Sequence, residues 1–242
     1  MSSVSARAAA RSSRPGANGR RQQILLSLAL ALLALVIAAS PVNASASVAF
    51  SGSRLSPRIA LTFDDGYYPS SVLSILATLR REGIRATFFP TSNAVKASPD
   101  VWRRVAAAGM PIGNHTINHP NLTALSWSSK LYQITASRSV VERVTGYRQT
   151  PYLRPPYGAW NTSVVSAAAS AGYRRVVLWD VDSRDWQRPA RSTLIYNATR
   201  GRNGSIVLLH TLPGTADALT SIIRTYKSRG YRFVTVPQMF QA

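Results

Sequence analysis

The sequence predicts an α/β protein, a distorted and incomplete (β/α) barrel of about seven strands in a single domain. From residue 58 onward, short runs rich in β-branched and aromatic residues alternate with helix-like segments, the signature of a parallel sheet; this many units favour closure into a barrel. Many of the helix-like pieces open on Ser, Thr, Asn or Pro and close on Gly, as capping requires. The length, 242 residues with 45% apolar and 16% charged, suits one large core, and no internal repeat appears.

Taken in order, 58-RIALTF-63 reads as a strand followed by a helix at 69–83, and 86-ATFF-89 as a strand followed by a helix at 98–109. Helical patterns follow at 126–146 and 160–172, then the strand-like run 175-RVVLWD-180 and a helix at 191–201. The strand 205-SIVLLH-210, a helix at 214–230 and the run 232-RFVTV-236 complete the pattern. Trp102 and Trp127 are read as packing residues on helices. In such folds chemistry lies at the carboxyl ends of the strands. That rule places Asp64-Asp65, the acids of 180-DVDSRD-185 and His210 on one face.

The first 46 residues have a different character. Residues 1–21 hold five arginines and no acid, and 24-ILLSLALALLALVIAA-39 is apolar but for one Ser. Pro41 and small residues ending in 44-ASA-46 follow. This is the pattern of a secretory signal peptide, with an uncleaved N-terminal anchor as the competing reading, because sixteen residues are short for a span of about twenty. The chain is therefore expected to be secreted or wall-associated, with membrane contact only through this segment. Residues 47–57 are expected to be a spacer, and 58–242 the folded domain.

Twenty-nine Lys and Arg stand against nine acids. Without the five N-terminal arginines the balance is 24 against 9, so the remainder is still strongly basic and suited to anionic wall polymer or membrane. No element interleaves basic and aromatic residues, which argues against a nucleic-acid partner. The absence of cysteine excludes disulfides, thiolate nucleophiles and Cys-ligated metal.

The scarce residue types are concentrated. His115, His119 and His210 are the only histidines, and five of the nine acids are Asp64, Asp65, Asp180, Asp182 and Asp185. His115 and His119, in 113-GNHTINHP-120, have an H-x-x-x-H spacing that can aim two imidazoles at one metal ion. A carboxylate of the Asp64-Asp65 pair is the obvious third ligand. Two imidazoles and a carboxylate leave coordination room for a water. Two adjacent carboxylates also call for compensating positive charge.

Five blocks, 62-TFDDG-66, 115-HTINH-119, 154-RPPYG-158, 182-DSRDW-186 and 208-LLH-210, resemble in order those of the polysaccharide deacetylases of carbohydrate esterase family 4, the NodB-homology domain. The resemblance spans about residues 57–240. It implies that Asp64 is the catalytic base, held ionised by Arg154, and that Asp65, His115 and His119 bind a divalent metal. Zinc is usual, with cobalt or nickel as alternatives. It further implies an oxyanion hole using the backbone N–H of Tyr157, a general acid at His210 oriented by Asp182, and an acetyl pocket walled by Trp186 and Leu208. Thr211 departs from the acid often found after the last histidine, and Met110-Pro111 from a common His-Glu.

The expected function is an exported, metal-dependent N-deacetylase acting as a monomer on a glycan containing GlcNAc or MurNAc, either peptidoglycan or a chitin-like oligosaccharide. An acetylxylan-type ester hydrolase and a non-catalytic wall-binding module are the alternatives.

Overall fold

The computed structural model describes residues 45–241. The signal or anchor segment expected at 1–46 thus lies, but for its last two residues, outside the described residues. The order is β1 (Ser47–Ala49), β2 (Arg58–Asp65), α1 (Pro69–Arg81), β3 (Thr87–Pro90), α2 (Ser92–Ala97), α3 (Pro99–Ala107), α4 (Trp127–Thr145) and β4 (Tyr152–Leu153). It continues with α5 (Thr162–Ser170), β5 (Arg175–Val177), β6 (Val181–Asp182), α6 (Arg191–Ala198), β7 (Ser205–His210), α7 (Pro213–Ser228), β8 (Arg232–Phe233) and α8 (Val236–Phe240). Among the described residues no helix is long and apolar enough to cross a membrane.

The strands are laid out in two parallel sheets, β1-β5-β4 and β3-β2-β7-β6, with β8 beside the start of β2. Single parallel bridges, Phe88 to Ile112 and Asn114 to Leu153, join β3 to β4 through the stretch 112–114. On the other side β5 runs into β6, changing its partner from β4 to β7. The ring so formed is the distorted barrel expected, with all its named strand pairs parallel. The switch at 178–180 has a local cause. Val177 O and Leu178 O accept from the Arg154 guanidinium at 3.1 and 3.2 Å instead of from a neighbouring strand. The strand read as 175–180 is accordingly split in two.

Ile59, Leu61 and Phe63 alternate along β2 into a core with Phe88, Trp102, Leu209, Ile222 and Tyr226, all fully buried. Trp102 stands edge-on to Phe88 at 6.1 Å, as a packing residue should. Trp127 differs from the packing role expected: it opens α4 and stays 46% exposed.

Two further expectations are corrected. Residues 47–57 are not wholly a spacer, since β1 pairs with β5 from Ser47 to Ala49 and buries Ala46 and Ala49. The apolar side chains of the run place it on the open edge of β5. The last strand covers only 232–233, because Thr235 caps α8: its hydroxyl accepts from Gln238 N, while the Gln238 side chain accepts from Thr235 N. A Thr-x-x-Gln capping box with Pro at the first turn stops the strand there. The short elements α2 and β4 and the bridging stretch 112–114 are additions to the pattern read from the sequence.

Candidate active site

Asp64 ends the buried part of β2, and its register partner on β7 is His210. Parallel pairing therefore brings together residues 146 positions apart. Asp64 is 2% exposed, and its Oδ1 accepts from Arg154 Nη1 at 2.8 Å. Arg154 is itself fully buried. Its Nη1 also donates to Thr62 Oγ1 at 2.7 Å, and its guanidinium lies 4.3 Å from the Phe89 ring centroid. An Arg buried this completely is costly unless each N–H is satisfied and the charge is balanced. Burial pulls the Arg154 pKa down while the Asp64 charge and hydrogen bond oppose that pull.

One residue later the backbone turns over. Asp65 has φ 75°, which swings its carboxylate away from Asp64 and toward the histidines. Asp65 Oδ1 lies 3.6 Å from both His115 Nε2 and His119 Nε2. The His115 ring is fixed from behind, its Nδ1–H donating to Arg154 O at 2.7 Å, so Nε2 faces Asp65 with its lone pair free. Asn114 sets the loop. It is buried, its side-chain amide donates to Ile134 O and to the Tyr173 hydroxyl, which in turn donates to Gln149 Oε1, and its Oδ1 accepts from Thr116 N.

Three observations fit a divalent cation at Asp65, His115 and His119. Their ligand atoms lie within 4.8 Å of one another, and Asp65 Oδ1 is buried without a hydrogen-bond partner. The 3.6 Å separations are near the edge of roughly 3.4 Å expected of a tetrahedron with metal bonds of about 2.1 Å. The electrostatics agree. Burial pulls His115 down, yet Asp64 and Asp65 carry it above its ordinary value, so the carboxylates draw positive charge to this point. Burial pushes Asp65 up, but the nearby His115, with the charges of His210 and His119 behind it, carries it below its ordinary value. His119 is lowered by burial and by its neighbour His115.

Across the cleft, His210 Nδ1–H donates to Asp185 Oδ1 at 2.7 Å and His210 N to Asp185 Oδ2 at 2.6 Å. Thr215 Oγ1 donates to the same Oδ2 at 2.6 Å. Burial pulls His210 down, but the hydrogen bond and charge of Asp185, with Asp64 and Asp65 behind it, raise it to about 9. The partner expected for His210 was Asp182, and this is corrected. Asp182 Oδ1 accepts instead from Arg184 N at 2.8 Å, tying a left-handed turn. That turn sends Asp182 to the cleft wall and brings Asp185 under His210.

The cleft between these groups has a volume of about 500 Å³. Leu208 and Trp186 line it as expected, and Tyr157 does too. Trp179, Leu212 and Arg188 line it without having been anticipated. All six non-glycine residues with positive φ among the described residues, Asp65 at the end of β2 and Thr116, His119, Tyr157, Arg184 and Arg188 in the connections, lie around this cleft. Left-handed backbone costs such residues about 1–3 kcal/mol each, and strain confined to one rim is the pattern of a functional site. Thr211 also has a definite task. Its Oγ1 accepts from Gly66 N at 3.0 Å and its N–H donates to Asp64 O at 3.2 Å, clamping the turn that separates the two carboxylates. Asp180, expected on the same face, is corrected: it lies beside the start of β7, held by Arg54 at 2.7 Å and by Ser205, because β6 begins only after it.

The model of the family described as "Polysaccharide deacetylase" matches residues 52–176. A peptidoglycan-N-acetylglucosamine deacetylase of Bacillus cereus is 36% identical over 199 residues, covering 80% of this chain and 72% of that protein. A chitooligosaccharide deacetylase of Azorhizobium caulinodans is 38% identical over 153 residues, covering 63% of this chain and 72% of the relative. A solved structure described as a mutant of a CE4 family pseudoenzyme with restored enzymatic activity superposes with a TM-score of 0.78. It is 28% identical and covers 81% of this chain and 72% of its own. With the cleft and its donor set in place, the family match and these likenesses show that the chain belongs to the polysaccharide deacetylase family.

Proposed function

We propose that the protein is an exported, metal-dependent N-deacetylase that hydrolyses acetamido groups on a GlcNAc- or MurNAc-containing glycan, with peptidoglycan preferred to chitin-like oligosaccharide. The observation that carries this reading is the division of the Asp64-Asp65 pair, one carboxylate against a buried guanidinium and the other against two imidazoles, with His210 on Asp185 across the same cleft. A fold shared with a pseudoenzyme makes the fold alone insufficient, so the reading stands on these side chains.

Asp65, His115 and His119 would hold the cation, with zinc first among the candidates. A divalent ion there supplies Lewis acidity toward a water and the acetamido carbonyl. Asp64, paired with the buried Arg154 guanidinium, takes a proton from the attacking water. The strained turn at Tyr157 presents its backbone N–H to the oxygen on which negative charge develops. His210 gives a proton to the departing nitrogen, which is a poor leaving group without one, and Asp185 holds the ring in the tautomer that makes Nε2 the acid. Leu208 and Trp186 offer the acetyl methyl an apolar wall. The basic balance of the chain and the peptidoglycan deacetylase among its relatives support the wall glycan. The apolar run at 24–39 supports export.

Acetate release from peptidoglycan, chitooligosaccharides and acetylxylan, with and without chelator and in Asp64→Asn, tests the proposal. Release from the N-acetylated glycans, abolished by chelator and by the substitution, is expected. Release from acetylxylan alone would replace the N-deacetylase with an ester hydrolase, and no release from any of the three would leave a binding module.

A further inference from the structure

Exposed basic residues crowd the end of the barrel opposite the cleft, although Arg184 and Arg188 stand at the cleft rim. Asp64, Asp65, Asp182 and Asp185 lie at the cleft end. The opposite end, where the strands begin, is basic. Arg85, Arg148, Arg174, Arg202 and Arg232 each occupy the loop or first position before β3, β4, β5, β7 and β8, and all five are exposed. The last turns of α1, α4 and α7 add further Arg and Lys. The acids at this end are engaged, Glu82 with Lys227 at 2.8 Å, Glu142 with Gln149 N at 3.1 Å and Asp180 with Arg54. Cations at helix C-termini satisfy the helix dipole, but the five loop arginines lie outside the helices and need another reason.

Two more observations bear on what covers this end. Leu55, in the loop just before β2, is 95% exposed, and Tyr147, beside Arg148, is 54% exposed. Apolar and aromatic side chains standing among cations suit a surface with an apolar layer beneath its charge, whereas a soluble polyanion offers them nothing. The chain also enters the domain here, since Ser47 is the register partner of Arg175 at the start of β5.

We infer that the end of the barrel opposite the cleft docks on an anionic phospholipid surface, with Leu55 and Tyr147 entering the interface and the cleft turned outward. The inference goes beyond the catalytic reading and requires no turnover. The full chain is tested by flotation with phosphatidylcholine vesicles and with vesicles containing phosphatidylglycerol. The ratio of the two partition coefficients removes the common contribution of the N-terminal segment. Replacing the five loop arginines by Gln is expected to lower that ratio at least about tenfold, as several cations near a charged surface should, and Leu55→Ser to lower it further. Thermal unfolding and cleavage of a soluble substrate, unchanged in both variants, exclude misfolding.

Because the chain lacks cysteine, a fluorophore can be placed singly. On Ser228→Cys, at the end of α7, it should be quenched by a headgroup-borne quencher, and on Ser70→Cys, at the start of α1, it should not. An unchanged ratio in the arginine variant, or equal quenching at both positions, overturns the inference. So does displacement from vesicles by a soluble glycerol phosphate polymer together with indifference to Leu55→Ser, which would assign the basic end to a wall polymer.

Discussion

Asp185 holds His210 at two points, one carboxylate oxygen 2.7 Å from Nδ1 and the other 2.6 Å from the backbone N–H. The ring and the strand end that carries it are thus positioned by one side chain, which Thr215 in turn orients. Asp185→Asn should reduce kcat at least about a hundredfold through the wrong tautomer, while Asp182→Asn, which alters only the turn at Arg184, should reduce it far less. Steady-state kinetics of the two variants side by side decide between these carboxylates.

The pH dependence follows from the same contact. His210 is raised to about 9, so it is protonated at neutral pH and able to donate. Activity should fall as pH rises through that value, and the alkaline limb should move to lower pH in Asp185→Asn. The charged pair also contributes to stability. Because the folded pKa lies above the unfolded value, that contribution is complete below about 6.5 and is lost as pH rises through about 9. Melting temperature against pH, measured in chelator, should show the decline. A bound cation should shift it to lower pH by opposing the carboxylates.

The two adjacent aspartates should separate cleanly on metal content. Asp65→Asn and His115→Ala should lose tight zinc binding by titration calorimetry and elemental analysis. Asp64→Asn should keep the metal and lose turnover. Asp64→Asn carries a second cost, since it leaves the fully buried Arg154 without its counter-charge. Removing one partner of such a pair destabilises by about 3–5 kcal/mol, so a lower melting temperature is expected alongside retained metal.

Thr211→Val removes the acceptor of Gly66 N–H in the turn between the carboxylates. An unsatisfied buried donor costs about 1–3 kcal/mol, and the loosened turn should depress kcat more than KM. Thr211→Ser, which keeps the oxygen, should restore both in the same denaturation and kinetic assays.

The strand-and-helix alternation, the face bearing the chemistry and the chemical types gathered there were all legible in the linear chain. They depend on local periodicity, on caps, and on the rarity of His and Asp in a chain dominated by Arg. His115 and His119 converge as their spacing suggested, and Asp65 joins them and Arg154 meets Asp64 as the family resemblance implied. Legibility stopped where a residue's role depends on which way the backbone turns. Asp182 and Asp185 are equivalent by composition, and only the left-handed turn at Arg184 places one on the wall and the other under His210. The edge strand at 47–49, the partner switch at 178–180 and the capped helix after Thr235 were likewise decided by pairing partners distant in sequence. The crowding of loop arginines where the strands begin has the same origin. Strand and helix directions assign each loop to an end, and neighbouring residues in sequence carry no record of that assignment until the ring closes.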